Sequence, residues 1–284
     1  MSIPDHSDLP VDRCAGLETV AGLACTGTTA GLKASGAPDL ALVRVLGPEH
    51  TAAAVFTRNR FAAAPVLWSR EVVSDGRADA VVLNSGGANA CTGPEGFAAA
   101  HRTAEAAAEH LGIAAGDVLV CSTGLIGEQL PLEKLLAGLE RACGDLASDE
   151  AHARAAARAI MTTDTVPKQA GLTLATEQGE VHLAGIAKGA GMLAPGLATM
   201  LVVLATDASL DPERAETALR TATALSFDRA DSDGCMSTND TVILLASGAS
   251  GITPEPEEFA RGLTACLLYT SDAAHDSLRV DIGG

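Results

Sequence analysis

The segment AKGAGMLAPGLATML, residues 187–201, gathers more chemistry than any other stretch of this chain. Thr199 follows a small alanine, Ala198, and a flexible Ala-Pro-Gly run, and it opens an apolar stretch. A threonine so placed suits backbone self-cleavage. Its hydroxyl attacks the Ala198 carbonyl, the peptide shifts to an ester, and hydrolysis leaves Thr199 as a new N-terminus. The freed α-amine titrates near neutrality and serves as the base for its own hydroxyl, a known way to activate a threonine nucleophile. On local sequence alone, an ordinary β-branched strand residue is the favoured reading of Thr199. Lys188 is one of only four lysines among 19 basic residues and is followed at once by Gly189. A solvated surface lysine is the plain alternative. Gly189, Gly191 and Ala194 also fit the GxGxxA spacing of a dinucleotide-binding turn, but Pro195 and Gly196 would interrupt the helix that must receive a pyrophosphate.

These residues need a scaffold, and the chain reads as alternating strands and helices. The runs DAVVLNSGGANA from Asp79, GDVLVCSTGLIG from Gly116, ATMLVVLATDAS from Ala198 and NDTVILLASGAS from Asn239 are apolar on both faces and read as buried strands. Amphipathic stretches over 95–111, 131–143, 149–160 and 211–225 carry helix starts and stops, with Gly112 ending the first and Pro131 opening the second. Residues 171–187 alternate around Gly179 and predict a hairpin. The first dozen residues, polar and Pro-containing, are expected to stay unstructured. After about Ala265 the helix begun at Pro256 meets YTSDAAHDSLRVDIGG, which continues no periodicity and is expected to be a non-native tail over 266–284.

Composition narrows the class. The chain is 284 residues long, 47% hydrophobic and only 2% aromatic, so its core must be built from Ala, Val and Leu around many glycines. That favours a layered α/β body over a β-sandwich with aromatic anchors. A formal charge of -17 without a basic cluster argues against nucleic acid as a partner. Seven widely spaced cysteines without a CxxC pair point to a reducing cytoplasm and to no structural zinc. No signal pattern or membrane-length apolar run is visible, so no membrane partner is expected.

Seven ordered segments carry a resemblance: GLKASGAPDLALV from Gly31, AAVFTRNRFAAAPV from Ala53, LNSGGANACTG from Leu83, CSTGLIGEQLP from Cys121, IMTTDTVPK from Ile160, the segment around Lys188, and STNDTV from Ser237. Across roughly 15–265 the chain resembles the bifunctional glutamate N-acetyltransferase / ornithine acetyltransferase family of arginine biosynthesis. The resemblance implies a layered α/β sandwich of the self-processing, N-terminal-nucleophile kind. It implies cleavage between Ala198 and Thr199, dividing a flexible N-terminus (1–14), an α-chain-like part (15–198) and the start of a β-chain-like part (199–265). It places an acetyl-carrying nucleophile on Thr199, an oxyanion hole on Thr123 and Gly124, and substrate contacts on Thr162, Lys188 and Thr199. N-acetylornithine would give its acetyl group to glutamate by a ping-pong route without metal or organic cofactor, acetyl-CoA being a further co-substrate in some members. After cleavage two α and two β chains would assemble. Family members continue past the point where this chain stops, so a Glu, an Asn and a Ser of the site are expected beyond it. Two other readings remain open here: a self-processing amidase or aminopeptidase that passes its acyl group to water, and a non-catalytic fragment that only binds amino acids.

Overall fold

The computed structural model describes residues 9–189, 200–227 and 236–275. Nine strands form two sheets. The first has four strands in the order β1 (Leu23–Thr28), β2 (Leu40–Val45), β4 (Ala80–Asn84), β5 (Val118–Ser122). The second has five, in the order β3 (Thr51–Phe56), β9 (Thr241–Ala246), β8 (Leu201–Thr206), β7 (Gly179–Lys188), β6 (Lys168–Thr176). Pairing is antiparallel except for β4 with β5 and β8 with β9, which run parallel.

Strand residues alternate between two apolar layers, as a period of two requires. Along β8, Leu201, Val203 and Ala205 enter a core shared with Val43 of β2, Val81 of β4 and Leu119 of β5. Their neighbours Val202 and Leu204 face the opposite way, against α5 (Pro212–Leu225) and α6 (Pro256–His275). In the first sheet, Ala80 and Val82 of β4 turn outward onto α2 (Gly93–Leu111) and α3 (Leu132–Gly144). The two sheets thus meet face to face and each carries helices on its outer side, a four-layer α/β/β/α sandwich. Such double burial explains why these strands read as unbroken apolar runs. The short helix α1 (Ala64–Val72) packs beside β5, while α4 (Glu150–Ala159) places Ala153, Ala156 and Ala157 in the core between the sheets.

Local punctuation set several of these elements. Asp149 and Asp211 cap α4 and α5 by accepting the backbone N–H of His152 at 3.0 Å and of Arg214 at 2.8 Å. Gly112 ends α2 in the left-handed conformation with φ 68°. The hairpin at Gly179 is β6–β7.

One expectation is corrected. Residues 9–14 are not a free N-terminus: Leu9 and Val11 pack on the core, Asp12 pairs with Gly171 through hydrogen bonds of 2.8 and 2.9 Å, and the Cys14 carbonyl accepts from Gln169. Apolar side chains at positions 9 and 11 supply the driving force that the polar composition concealed. At the other end α6 runs to His275, with Cys266 and Leu267 buried against the five-stranded sheet. The run ACLL, within the helix read from Pro256, keeps one face apolar. Among the described residues no helix is long and apolar enough to cross a membrane.

Candidate functional site

Several strands end at one place. Lys188, the last residue of β7, lies in register with Leu201 of β8, and Leu201 with Thr241 of β9. Met200 and Asp240 each sit one residue before this row. From the other sheet, the turn after β5 reaches the same place. There Thr123 donates its backbone N–H to Asn84 O at 2.9 Å, and Ser122 Oγ donates to Asn84 Oδ1 at 2.5 Å. Gly124 follows with φ +134°, and a Cβ there would stand 2.7 Å from Gly87 N. Only glycine fits so close to another backbone in that conformation. The Gly124 N–H has no acceptor among the described residues.

Lys188 is 2% exposed, and its Nζ donates to Thr123 Oγ1 at 3.2 Å. It has no ion-pair partner among the described residues. Burial lowers its pKa to about 8, against the opposing pull of Asp164. A hydroxyl that accepts from an ammonium keeps its own hydrogen to donate and becomes a stronger donor. Thr123 is therefore built to donate into the site with Lys188 behind it.

Beside this pair stands a buried clamp. Asp164 Oδ1 accepts from Lys168 Nζ at 2.8 Å and from Gly189 N at 2.9 Å, while Oδ2 accepts from Thr162 N at 3.1 Å. Lys168 Nζ also donates to the Gly189 carbonyl at 2.5 Å. Burial opposes the Asp164 charge, but the hydrogen bonds from Lys168 and Gly189 outweigh it and hold the carboxyl below its usual range. Lys33 bonds the carbonyls of Pro38 and Met161, both at 2.7 Å, and so braces the residue before Thr162. Burial lowers its pKa, against the pull of Asp39 and Asp164.

Asp240 is fully buried. Its Oδ1 accepts the Met200 N–H at 2.8 Å, and its Oδ2 has no hydrogen-bond partner among the described residues. Burial pushes the carboxyl up to about 7, against hydrogen bonding from Met200 and Ser237 and the Lys188 charge.

The structure brings Thr123, Gly124 and Lys188 together. Thr162 is exposed and is tied to them through Asp164. Ala198 and Thr199 lie outside the described residues, as does most of the GxGxxA segment; the Gly189 N–H is already taken by Asp164. The segments LNSGGANACTG and STNDTV serve as scaffold in part. Ser85 Oγ donates to the Ala159 carbonyl, and Thr57 Oγ1 and Asn59 Nδ2 hold the carbonyls of Ser237 and Met236 at 2.7 and 2.8 Å. Sequence reasoning missed Asp164, Lys168 and Asp240. All three stood inside quoted motifs, and the signal was charged residues within otherwise apolar or hydroxylated runs.

Comparison with known proteins fits this geometry. The ArgJ family model matches residues 24–276. The arginine biosynthesis bifunctional protein ArgJ of Streptomyces coelicolor is 56% identical over 268 residues, covering 92% of this chain and 68% of the relative. Among solved structures, the ornithine acetyltransferase of Mycobacterium tuberculosis complexed with ornithine superposes with a TM-score of 0.63 at 50% identity, over 68% of this chain and 99% of that one. The l-aminopeptidase d-ala-esterase/amidase of Ochrobactrum anthropi, a variant of the Ntn-hydrolase fold, shares the fold with a TM-score of 0.51 at 13% identity, over 93% of this chain and 89% of that one. With the family model spanning most of its length and a relative more than half identical, the chain belongs to the ArgJ family.

Proposed function

We propose that the chain is an acyltransferase of arginine biosynthesis that moves an acetyl group from N-acetylornithine to glutamate through an ester on Thr199, after backbone cleavage between Ala198 and Thr199. The observation that carries this reading is the Lys188–Thr123 contact of 3.2 Å at the strand end that Met200 immediately precedes. It unites an oxyanion donor with a cation free to take an amino-acid carboxylate. In the reaction, the Thr199 hydroxyl attacks the acetyl carbon while Thr123 Oγ–H and Gly124 N–H receive the charge that develops on oxygen. Ornithine leaves, and glutamate takes the acetyl group in a second displacement. Lys188 binds the carboxylate of each amino acid in turn, and Thr162 adds a polar contact at the rim.

Cleavage has independent support. The Mycobacterium tuberculosis chain is matched over 99% of its length by 68% of this one. Of 284 residues that share is about 193, close to the 198 that precede Thr199. On this reading the two products assemble as two α and two β chains, and the chemistry calls for no metal or organic cofactor, with acetyl-CoA as an alternative donor.

Intact mass spectrometry with N-terminal sequencing tests the reading. Scaling 28.6 kDa by 198 and 86 of 284 residues gives pieces of about 20 and about 9 kDa, the second beginning at Thr199. Incubation with N-acetylornithine adds one acetyl group to the smaller piece, and Thr199→Ala stays whole and unacetylated. A protein that transfers acetyl groups without being cut at Thr199 overturns the mechanism.

A further inference from the structure

A fully buried carboxylate with one oxygen fixed and the other unpartnered calls for a function, because an unsatisfied buried acceptor is costly to keep. Asp240 is that group, with Oδ1 on the Met200 N–H at 2.8 Å and Oδ2 without a partner among the described residues. It stands one residue before the row Lys188–Leu201–Thr241, at the strand end that holds the candidate carboxylate-binding lysine. Its backbone is held as well, since the Asp240 carbonyl accepts from Thr57 N at 2.8 Å. The carboxylate is therefore rigid, dry and adjacent to the reaction zone.

Resting on the transferase reading above, we infer that Asp240 exchanges the amine proton of the amino acid during acetyl transfer. In the first half-reaction the threonine oxygen bonds to the acetyl carbon and the C–N bond of N-acetylornithine breaks. The protonated Asp240 gives its proton to the leaving nitrogen and becomes a carboxylate, while the threonine hydroxyl proton passes to the threonine's own amine. In the second half-reaction the Asp240 carboxylate takes a proton from the ammonium of glutamate. The freed nitrogen bonds to the acetyl carbon, the C–O bond to threonine breaks, and the threonine oxygen recovers its proton from the amine. The nitrogen keeps one hydrogen in the amide and loses its surplus proton to solvent, while Asp240, holding the proton taken from the glutamate ammonium, is back in its starting state.

A group that must act as acid in one half and base in the other works best when it titrates near the working pH. Burial brings Asp240 there, at about 7. The charged group facing it among the described residues is Lys188 of β7, which is in turn influenced by Asp164, Lys168 and Lys33. Donation to ornithine fails as pH rises above about 7, and acceptance from glutamate fails as pH falls below it, so turnover peaks between.

The test compares a substrate that needs the proton with one that does not. Asp240→Asn keeps the volume and an oxygen for the Met200 N–H. It is expected to slow transfer from N-acetylornithine to glutamate by roughly 10²-fold or more and to flatten the pH profile. Acetylation by 4-nitrophenyl acetate, whose leaving group departs as a stable anion, should stay within a few-fold of the parent. Asp240→Glu, which keeps a titrating carboxyl, should recover part of the transfer rate and restore the bell. A parallel loss with both donors, an unchanged transfer rate in Asp240→Asn, or a folded Asp240→Glu with no recovery each overturns the inference while leaving the transferase reading intact. A parent protein that accepts acetyl from the nitrophenyl ester but not from N-acetylornithine overturns the transferase reading itself, and the inference with it.

Discussion

Lys168 and Lys188 stand on neighbouring strands, one opening β6 and the other closing β7, and both are almost completely buried, at 4% and 2% exposure. Their partners differ. Lys168 has a carboxylate at 2.8 Å and a carbonyl at 2.5 Å, whereas among the described residues Lys188 has a single neutral hydroxyl at 3.2 Å. A buried cation with full compensation is a piece of architecture. One without a counter-ion stays charged at a cost, and is best explained by a ligand that brings the missing carboxylate. On the proposed function the first lysine belongs to folding and the second to binding, and substitutions at each should separate along that line.

The largest effect is expected at the paired lysine. Lys168→Met leaves Asp164 buried without its cation, and breaking a buried pair from one side typically costs about 3–5 kcal/mol. Urea unfolding near pH 7 reads this directly. Because the Asp164 carboxyl is held below its ordinary value of 3.8, the stability it contributes is present above that pH and lost as pH falls through its folded value. The gap between parent and variant should therefore narrow in acid. A gap that does not depend on pH would place the loss in packing and not in the pair.

Next comes Thr123→Val, which keeps the branched shape and removes the hydroxyl. Loss of one oxyanion donor is typically worth about 2.7–4 kcal/mol, so kcat should fall roughly 10²- to 10³-fold with little change in KM. A kcat within a few-fold of the parent would remove Thr123 from the oxyanion hole.

The paired and unpaired lysines were not equally legible. Strands β4, β5, β8 and β9, the β6–β7 hairpin and four helices were readable because capping residues, glycines and doubly buried apolar runs mark them locally. Helix α1 was not, since Ala63 offers no side-chain cap and nine residues are too few to show a helical period. The site itself is assembled over long separations: Lys188 meets Thr123 across 65 positions and Asp240 meets Met200 across 40. Nothing in the spacing of those residues encodes the contact; it follows from sheet register. Asp164 and Lys168 stand four apart, yet only Lys168 is in a strand and Asp164 in the loop before it, so helical pairing rules would have explained them wrongly.

Lys188→Met should weaken substrate binding and spare the fold. A charged hydrogen bond of about 1.5–3 kcal/mol corresponds to a KM roughly ten- to a hundred-fold higher for N-acetylornithine. Melting should shift little or upward, because an uncompensated buried charge is removed. The parent should lose affinity in the same sense above pH about 8, where Lys188 sheds its proton, and the variant should not. A large fall in melting temperature with KM unchanged would return Lys188 to the architectural class.

The smallest effect is expected from an ion pair that shares the chemistry of Lys168–Asp164 and lacks its burial. On α4, Arg154 Nη2 lies 2.7 Å from Glu150 Oε1, but the two side chains are 47% and 67% exposed. Water screens the attraction, and holding two long side chains in one geometry costs rotamer entropy, so such i,i+4 pairs contribute about 0.3–0.5 kcal/mol. Arg154→Gln, which keeps the stem and the helix propensity, should therefore shift urea stability by no more than that, and the shift should vanish in about 1 M salt, where the Debye length shrinks to about 3 Å. The Lys168→Met deficit should survive the same salt, since no counter-ion reaches a side chain 3% exposed. If both deficits faded together on adding salt, the contrast between a buried and a solvated pair would fail, and the clamp at Asp164 would have to be reread as a solvent-screened contact.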